Sequence, residues 1–147
     1  MWVETINKVS SNYVFQDPAS EELISSLEGN LNVQLPCELK KLLCETDGVI
    51  EKHDFAQWSV IWSSKVIIEE NLQIGNNQIL KENDLPFENL LFFADAGNGD
   101  LFGYLIIDKS VQKDAIYVWN HEDDSRNRVA SSLKEFIEGW LGGSISI

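Results

Sequence analysis

The stretch LLFFADAGNGDLFGYLIIDKSVQKDAIYVW, residues 90–119, decides the fold of this chain. Its three apolar runs, which alternate with polar segments, are residues 90–94, 101–107 and 115–119. The first connection, residues 95–100, contains Asn-Gly, a strong β-hairpin signal between apolar runs. Residues 108–114 form a second polar connection and are expected to be a turn. The stretch therefore predicts a meander of antiparallel strands.

The first 48 residues are predicted to form three helices: at residues 1–12, from Asp17-Pro18 to Gly29-Asn30, and from Leu35-Pro36 to Asp47-Gly48. Asp17 is expected to begin the second helix, since Asp is a favourable N-cap and proline fits the first helical position. The spacing of apolar residues predicts the buried stripes. They are Leu23, Ile24 and Leu27 in the second helix, and Leu39, Leu42 and Leu43 in the third.

The remaining elements are one strand and two helices. Trp58 to Trp62 alternates large apolar side chains onto one face, which predicts a strand. Ser64 is expected to cap a helix that ends near Asn83. Ser132-Leu133-Lys134-Glu135 fits a capping box, and Gly142-Gly143 ends the apolar helix that follows it. Helices, contiguous strands and a closing helix predict a single α+β domain, residues 1–147, with a central, mostly antiparallel sheet.

Charge is the unusual feature of the composition. The 147 residues include 24 Asp and Glu but only 11 Lys and Arg, for a formal net charge of −13. Such a chain repels the phosphates of nucleic acids and anionic membranes, and it attracts basic proteins. We therefore expect a basic protein partner, no nucleic acid and no membrane. The alternative is that the charge serves only solubility.

The two cysteines indicate a reducing compartment. Cys37 and Cys44 are seven residues apart in a predicted helix, which separates them by about 10 Å along the axis, too far for a disulfide. Unpaired thiols are typical of reducing compartments. The N-terminus lacks the pattern of a signal peptide, and no apolar stretch approaches membrane-spanning length. A cytoplasmic location is expected.

Two segments invite a metal-site interpretation. From Asp95 onward, an EF-hand loop would need oxygen ligands where Gly97 and Gly99 stand, so that loop is expected to be a structural turn. The cluster at residues 121–124 leaves two hypotheses open: a metal-assisted hydrolase site or an acidic loop before the last helix. The hydrolase residues would be His121, Glu122 and Asp124. Nucleophile and nucleotide-binding motifs are absent, so no catalytic residue, metal or cofactor is assigned.

Three segments in order resemble the SUKH superfamily, over about residues 20–141. The first is Leu35-Pro36 with its apolar helix and Asp47-Gly48. The second, residues 93–104, is similar to the glycine- and Asp-containing hairpin of that superfamily. The third is Ile116 to Glu122 followed by the helix that ends at Leu141.

The resemblance implies an α+β fold and a function. Bacterial members are typically immunity proteins, which bind and neutralise polymorphic toxins, many of them nucleases. Eukaryotic relatives include yeast regulators of cell-wall assembly, which act as intracellular interaction proteins. The superfamily has no shared catalytic residues, so we expect a binding protein and not an enzyme. The first hypothesis is an immunity protein for a toxin nuclease, and the alternative is a regulatory or scaffold module.

An acidic surface can cover the basic mouth of a nuclease. The candidate contacts are Glu51, Asp54, Asp95, Asn98, Asp100, Glu122, Asp123 and Asp124. Trp58 or Trp62 is a further candidate, because exposed tryptophans are favoured at binding hot spots, although tryptophans on apolar faces are more often core residues. For Asp95 and Asp100 the alternative role is to hold the hairpin turn through hydrogen bonds to backbone amides.

Overall fold

The computed structural model describes residues 1–52, 57–79, 90–107, 110–123 and 125–147. Their helices are α1 (Trp2–Val9), α2 (Glu21–Leu31), α3 (Cys37–Glu45), α4 (Ser64–Ile79) and α5 (Leu133–Phe136), which continues as a π-helical turn (Ile137–Leu141). Their strands are β1 (Tyr13–Phe15), β2 (Val49–Lys52), β3 (Gln57–Ile61), β4 (Leu90–Asp95), β5 (Leu101–Ile107), β6 (Ser110–Trp119) and β7 (Arg126–Ala130). The α+β prediction is confirmed.

The strands form two antiparallel sheets. One has the order β1-β2-β3, and the other is the meander β4-β5-β6-β7. The sheets meet where the Trp62 N–H donates to the Phe93 carbonyl at 2.9 Å, directly after β3 ends. Helix α4 is tied to the same strand, because the Asn71 side chain both donates to and accepts from the Phe92 backbone, at 2.8 and 3.0 Å.

One aromatic group joins the meander to the closing helix. The ring of Phe102 lies 4.7 Å from that of Phe136 and 4.9 Å from that of Trp140, centroid to centroid. Ser132 caps α5 by accepting the N–H of Glu135 at 3.1 Å, as the sequence predicts. The Glu135 carboxylate, however, accepts the N–H of Ser131 and not that of Ser132, so the box is shifted by one residue.

The start of α2 differs from the prediction. The N-cap is Ser20, whose hydroxyl accepts the N–H of Leu23 at 3.2 Å, and not Asp17. The preceding residues are held extended, because the Asp17 carbonyl accepts from Asp47 and the Ala19 N–H donates to Leu43. Leu23, which was predicted to be buried, is exposed. The other predicted buried residues of α2 and α3 are Ile24, Leu27, Leu39, Leu42 and Leu43, and all of them are buried.

Three predictions about strands were incomplete or wrong. Strands β2 and β7 were not predicted, and the residues that begin β6 were assigned to a turn. β7 reads Arg-Asn-Arg-Val-Ala and pairs with β6 through backbone bonds, so its polar residues mask it. β6 starts at Ser110, five residues before the predicted start of this strand at Ala115. The predicted end of α4 near Asn83 lies outside the described residues.

Candidate functional site

Two hairpin connections lie at the same end of the meander. Successive hairpins of an antiparallel sheet alternate between its ends, so the β4–β5 and β6–β7 connections share one end. Trp58 at the start of β3 reaches this end, and Glu51 of β2 is its cross-strand partner. We call the set formed by Glu51, Trp58, residues 95–100 and residues 120–123 the loop end.

Asp95 binds three donors. Its Oδ1 accepts the Trp58 indole N–H at 2.9 Å and the Gly97 backbone N–H at 2.8 Å. Its Oδ2 accepts the indole N–H of Trp62 at 3.2 Å. The bond to Gly97 is the turn-holding role that the sequence offered as an alternative for this residue. The two indole bonds are a further role, since they join the hairpin of one sheet to β3 of the other and to Trp62, which directly follows β3.

Asp100 is paired with His121 across the two hairpins. The Asp100 side chain is 9 % exposed, and its Oδ1 lies 2.6 Å from the His121 Nδ1. The same oxygen accepts the backbone N–H of His121 at 3.2 Å. The hydrogen bond with the His121 side chain lowers the pKa of the Asp100 carboxyl below its ordinary value. Asp100 is therefore an ionised acceptor, and Nδ1 is the donor.

Short polar side chains shape the rest of the loop end. Asn98 Oδ1 accepts the N–H of Asp100 at 3.0 Å, and Asn120 Oδ1 accepts that of Glu122 at 2.8 Å. Both Glu122 and Asp123 are exposed. Hydrogen bonds from Ser125 lower the pKa of Asp123, which keeps its carboxylate charged. Two exposed negative charges therefore stand beside His121.

Seven of the nine sequence candidates are described, and the structure brings them together at the loop end. They are Glu51, Trp58, Asp95, Asn98, Asp100, Glu122 and Asp123. Asp54 and Asp124 lie outside the described residues. Trp58 is half-buried, so it packs on the core and also borders solvent.

Sequence reasoning missed the bond from Trp62 to Asp95 and the pairing of His121 with Asp100. These partners are 33 and 21 residues apart, and no local pattern connects them. Within the described part of the chain, no three His, Cys, Asp or Glu residues are placed to hold a metal ion. The described helices include none with the length and apolar character needed to cross a bilayer.

The fold and the site together define an α+β domain with two antiparallel sheets and an acidic, aromatic loop end. A family model described as SMI1-KNR4 cell-wall, SUKH_6, matches residues 21–137. The chain therefore belongs to the SMI1-KNR4 family of the SUKH superfamily, and the resemblance found in its sequence is confirmed. No curated protein matches the chain.

Proposed function

We propose that this protein is an immunity protein that binds and neutralises a cognate toxin, a nuclease, through the loop end. The observation that carries the proposal is the gathering of acidic candidates and Trp58 at one end of the molecule. Membership of a superfamily whose bacterial members are typically immunity proteins supports it. In this proposal the protein acts by binding the toxin and catalyses no reaction of its own.

The proposed mechanism is electrostatic. A nuclease attracts phosphate, so the mouth of its active site tends to be basic. A protein of net charge −13 attracts such a surface at long range, and exposed carboxylates such as Glu122 and Asp123 guide the final approach. Once docked, the loop end would occupy the place of the nucleic acid.

Co-expression tests the proposal. The C-terminal domain of a secreted toxin encoded beside this gene should arrest growth, and the full chain should restore it. The purified pair should bind, with an affinity that falls as salt rises. Failure to restore growth, or absence of binding at low salt, would refute the proposal for that toxin.

A matched pair of double variants locates the docking surface. Glu122→Gln/Asp123→Asn removes two charges from the loop end, and we expect roughly tenfold weaker binding, mostly through slower association. Glu21→Gln/Glu22→Gln removes the same charge from the exposed first turn of α2 and should change binding much less. Equal losses in both variants would mean that only net charge matters.

The alternative is an intracellular regulatory or scaffold module, and the description of the matched family as SMI1-KNR4 cell-wall favours it. This alternative predicts that no toxin gene adjoins the gene. A pull-down from resting cells should then recover an endogenous enzyme or cell-wall factor, in an amount that falls in the Glu122→Gln/Asp123→Asn variant. Recovery of a toxin domain in its place would exclude it.

A further inference from the structure

The β4–β5 hairpin holds two rings with the same arrangement. Asp95 accepts the Trp58 N–H, and a Cβ placed on Gly97 would lie 3.4 Å from the Trp58 ring. Asp100 accepts from the His121 ring, and a Cβ on Gly99 would lie 3.0 Å from that ring. In each case a carboxylate accepts a hydrogen bond from the ring nitrogen, and a nearby glycine of the loop lies against the ring. The pairs of carboxylate and glycine are Asp95 with Gly97, and Asp100 with Gly99.

Both glycines are constrained as well. Gly97 has φ +88° and Gly99 has φ +102°, a region that other residues rarely adopt. The backbone of the loop thus packs against both rings, which holds Trp58 and His121 in place although both border solvent. Fixing a ring before binding removes the entropy cost of ordering it in a complex.

We propose that Trp58 and His121 form the contact platform of the loop end, that Asp95 and Asp100 are its positioning residues, and that it takes an arginine of the partner. This inference rests on the proposed role of the loop end as the docking surface for a basic protein. A planar guanidinium stacks flat on an indole and binds a carboxylate through parallel N–H groups of two nitrogens, a geometry that an ammonium lacks.

The surrounding groups fit this ligand. Because Nδ1 of His121 faces the Asp100 carboxylate and the side chain is 41 % exposed, the Nε2 edge of the ring is left for a side chain of the partner. The exposed carboxylates of Glu122 and Asp123 follow directly in the chain and supply the opposite charge. Asp95 and Asp100, by contrast, already accept hydrogen bonds from three and two donors of their own chain, so their part is to hold the rings.

Capped hexa-arginine and hexa-lysine peptides test the platform on the full-length protein. The two peptides carry equal charge, so long-range attraction is the same and any difference reports on stacking and two-point hydrogen bonding. In NMR titrations followed by the indole and imidazole signals, hexa-arginine should bind about fivefold more tightly than hexa-lysine. The largest shifts should occur at Trp58 and His121.

Variants separate contact from positioning. Trp58→Leu keeps apolar volume but should reduce the preference for arginine to about one. His121→Asn retains a donor for Asp100 and should also weaken the binding of hexa-arginine. Asp95→Asn cannot accept both indoles equally well and should lower the arginine-to-lysine ratio, whereas Glu21→Gln/Glu22→Gln should leave that ratio unchanged. The ratio is independent of a general loss of stability.

Two results would overturn the inference: equal affinities for the two peptides, or shifts that spread over the acidic surface and spare Trp58. If Trp58→Leu does not fold, the titration of the wild-type protein with the two peptides still tests the inference. The peptide titrations require no toxin, so the test of the platform is separate from the test of the immunity proposal. Growth rescue without arginine preference refutes the platform and leaves the immunity proposal, and arginine preference at Trp58 without rescue refutes immunity.

Discussion

Replacing Asp95 by alanine tests the joint between the two sheets. The substitution leaves three donors without their acceptor: the indoles of Trp58 and Trp62 and the N–H of Gly97. Trp62 is 4 % exposed, so water cannot fully replace its lost partner, whereas Gly97 is exposed and can be rehydrated. The free energy of unfolding should fall by about 3 kcal/mol, most of it from the buried indole.

Urea unfolding followed by tryptophan fluorescence measures this loss. With an m-value of about 1.5 kcal/mol per molar, the midpoint should fall by about 2 M while m itself is unchanged. Asp17→Ala is the matched control, because Asp17 is exposed and its carboxylate makes no hydrogen bond within the described residues. If the two variants are equally stable, Asp95 does not join the sheets and the account of its role is wrong.

Three further predictions concern neighbouring features. Gly99→Ala should lower the free energy of unfolding by about 2 kcal/mol, because φ is +102° and the new Cβ would lie 3.0 Å from the His121 ring. Gly29→Ala, in α2, meets open space and should raise the free energy of unfolding by about 0.5 kcal/mol in the same urea assay. Asn71→Ala, which removes both bonds from α4 to β4, should lower the melting temperature by several degrees. The pKa of Asp100 is lower in the folded state, so its contribution to stability is complete above about pH 4 and is lost as pH falls through the folded pKa. Below about pH 4, Asp100→Asn should therefore lose stability less steeply than the wild type, and parallel curves in urea unfolding would contradict this.

The central meander and the third helix could be predicted because their signals are local. The Asn-Gly connection between apolar runs forms the β4–β5 hairpin, and Leu39, Leu42 and Leu43 of α3 are all buried at helical spacing. The start of α2 could not be predicted from Asp17-Pro18, because backbone bonds to the end of α3 compete with the local cap. Likewise, β7 is held by pairing with β6, and its residues do not show the alternation of apolar and polar side chains that predicts a strand.

The loop end was predictable as a set of acidic residues but not as an arrangement. Charge density and the resemblance singled out Asp95, Asp100 and Glu122, and chain topology then placed them at one end of the meander. Which carboxylates are used internally depends on contacts between distant segments, such as the one between Asp95 and Trp62. Such contacts follow from how the two sheets meet, and that information is absent from any single stretch of sequence.

Hydrogen–deuterium exchange of the protein, alone and bound to the toxin domain whose effect it reverses, tests the central claim most directly. The account predicts slower exchange at residues 57–61, 95–100 and 120–123, with α2 unchanged. Protection confined to α2 and α4, with the hairpin connections exchanging as in the free protein, would contradict it.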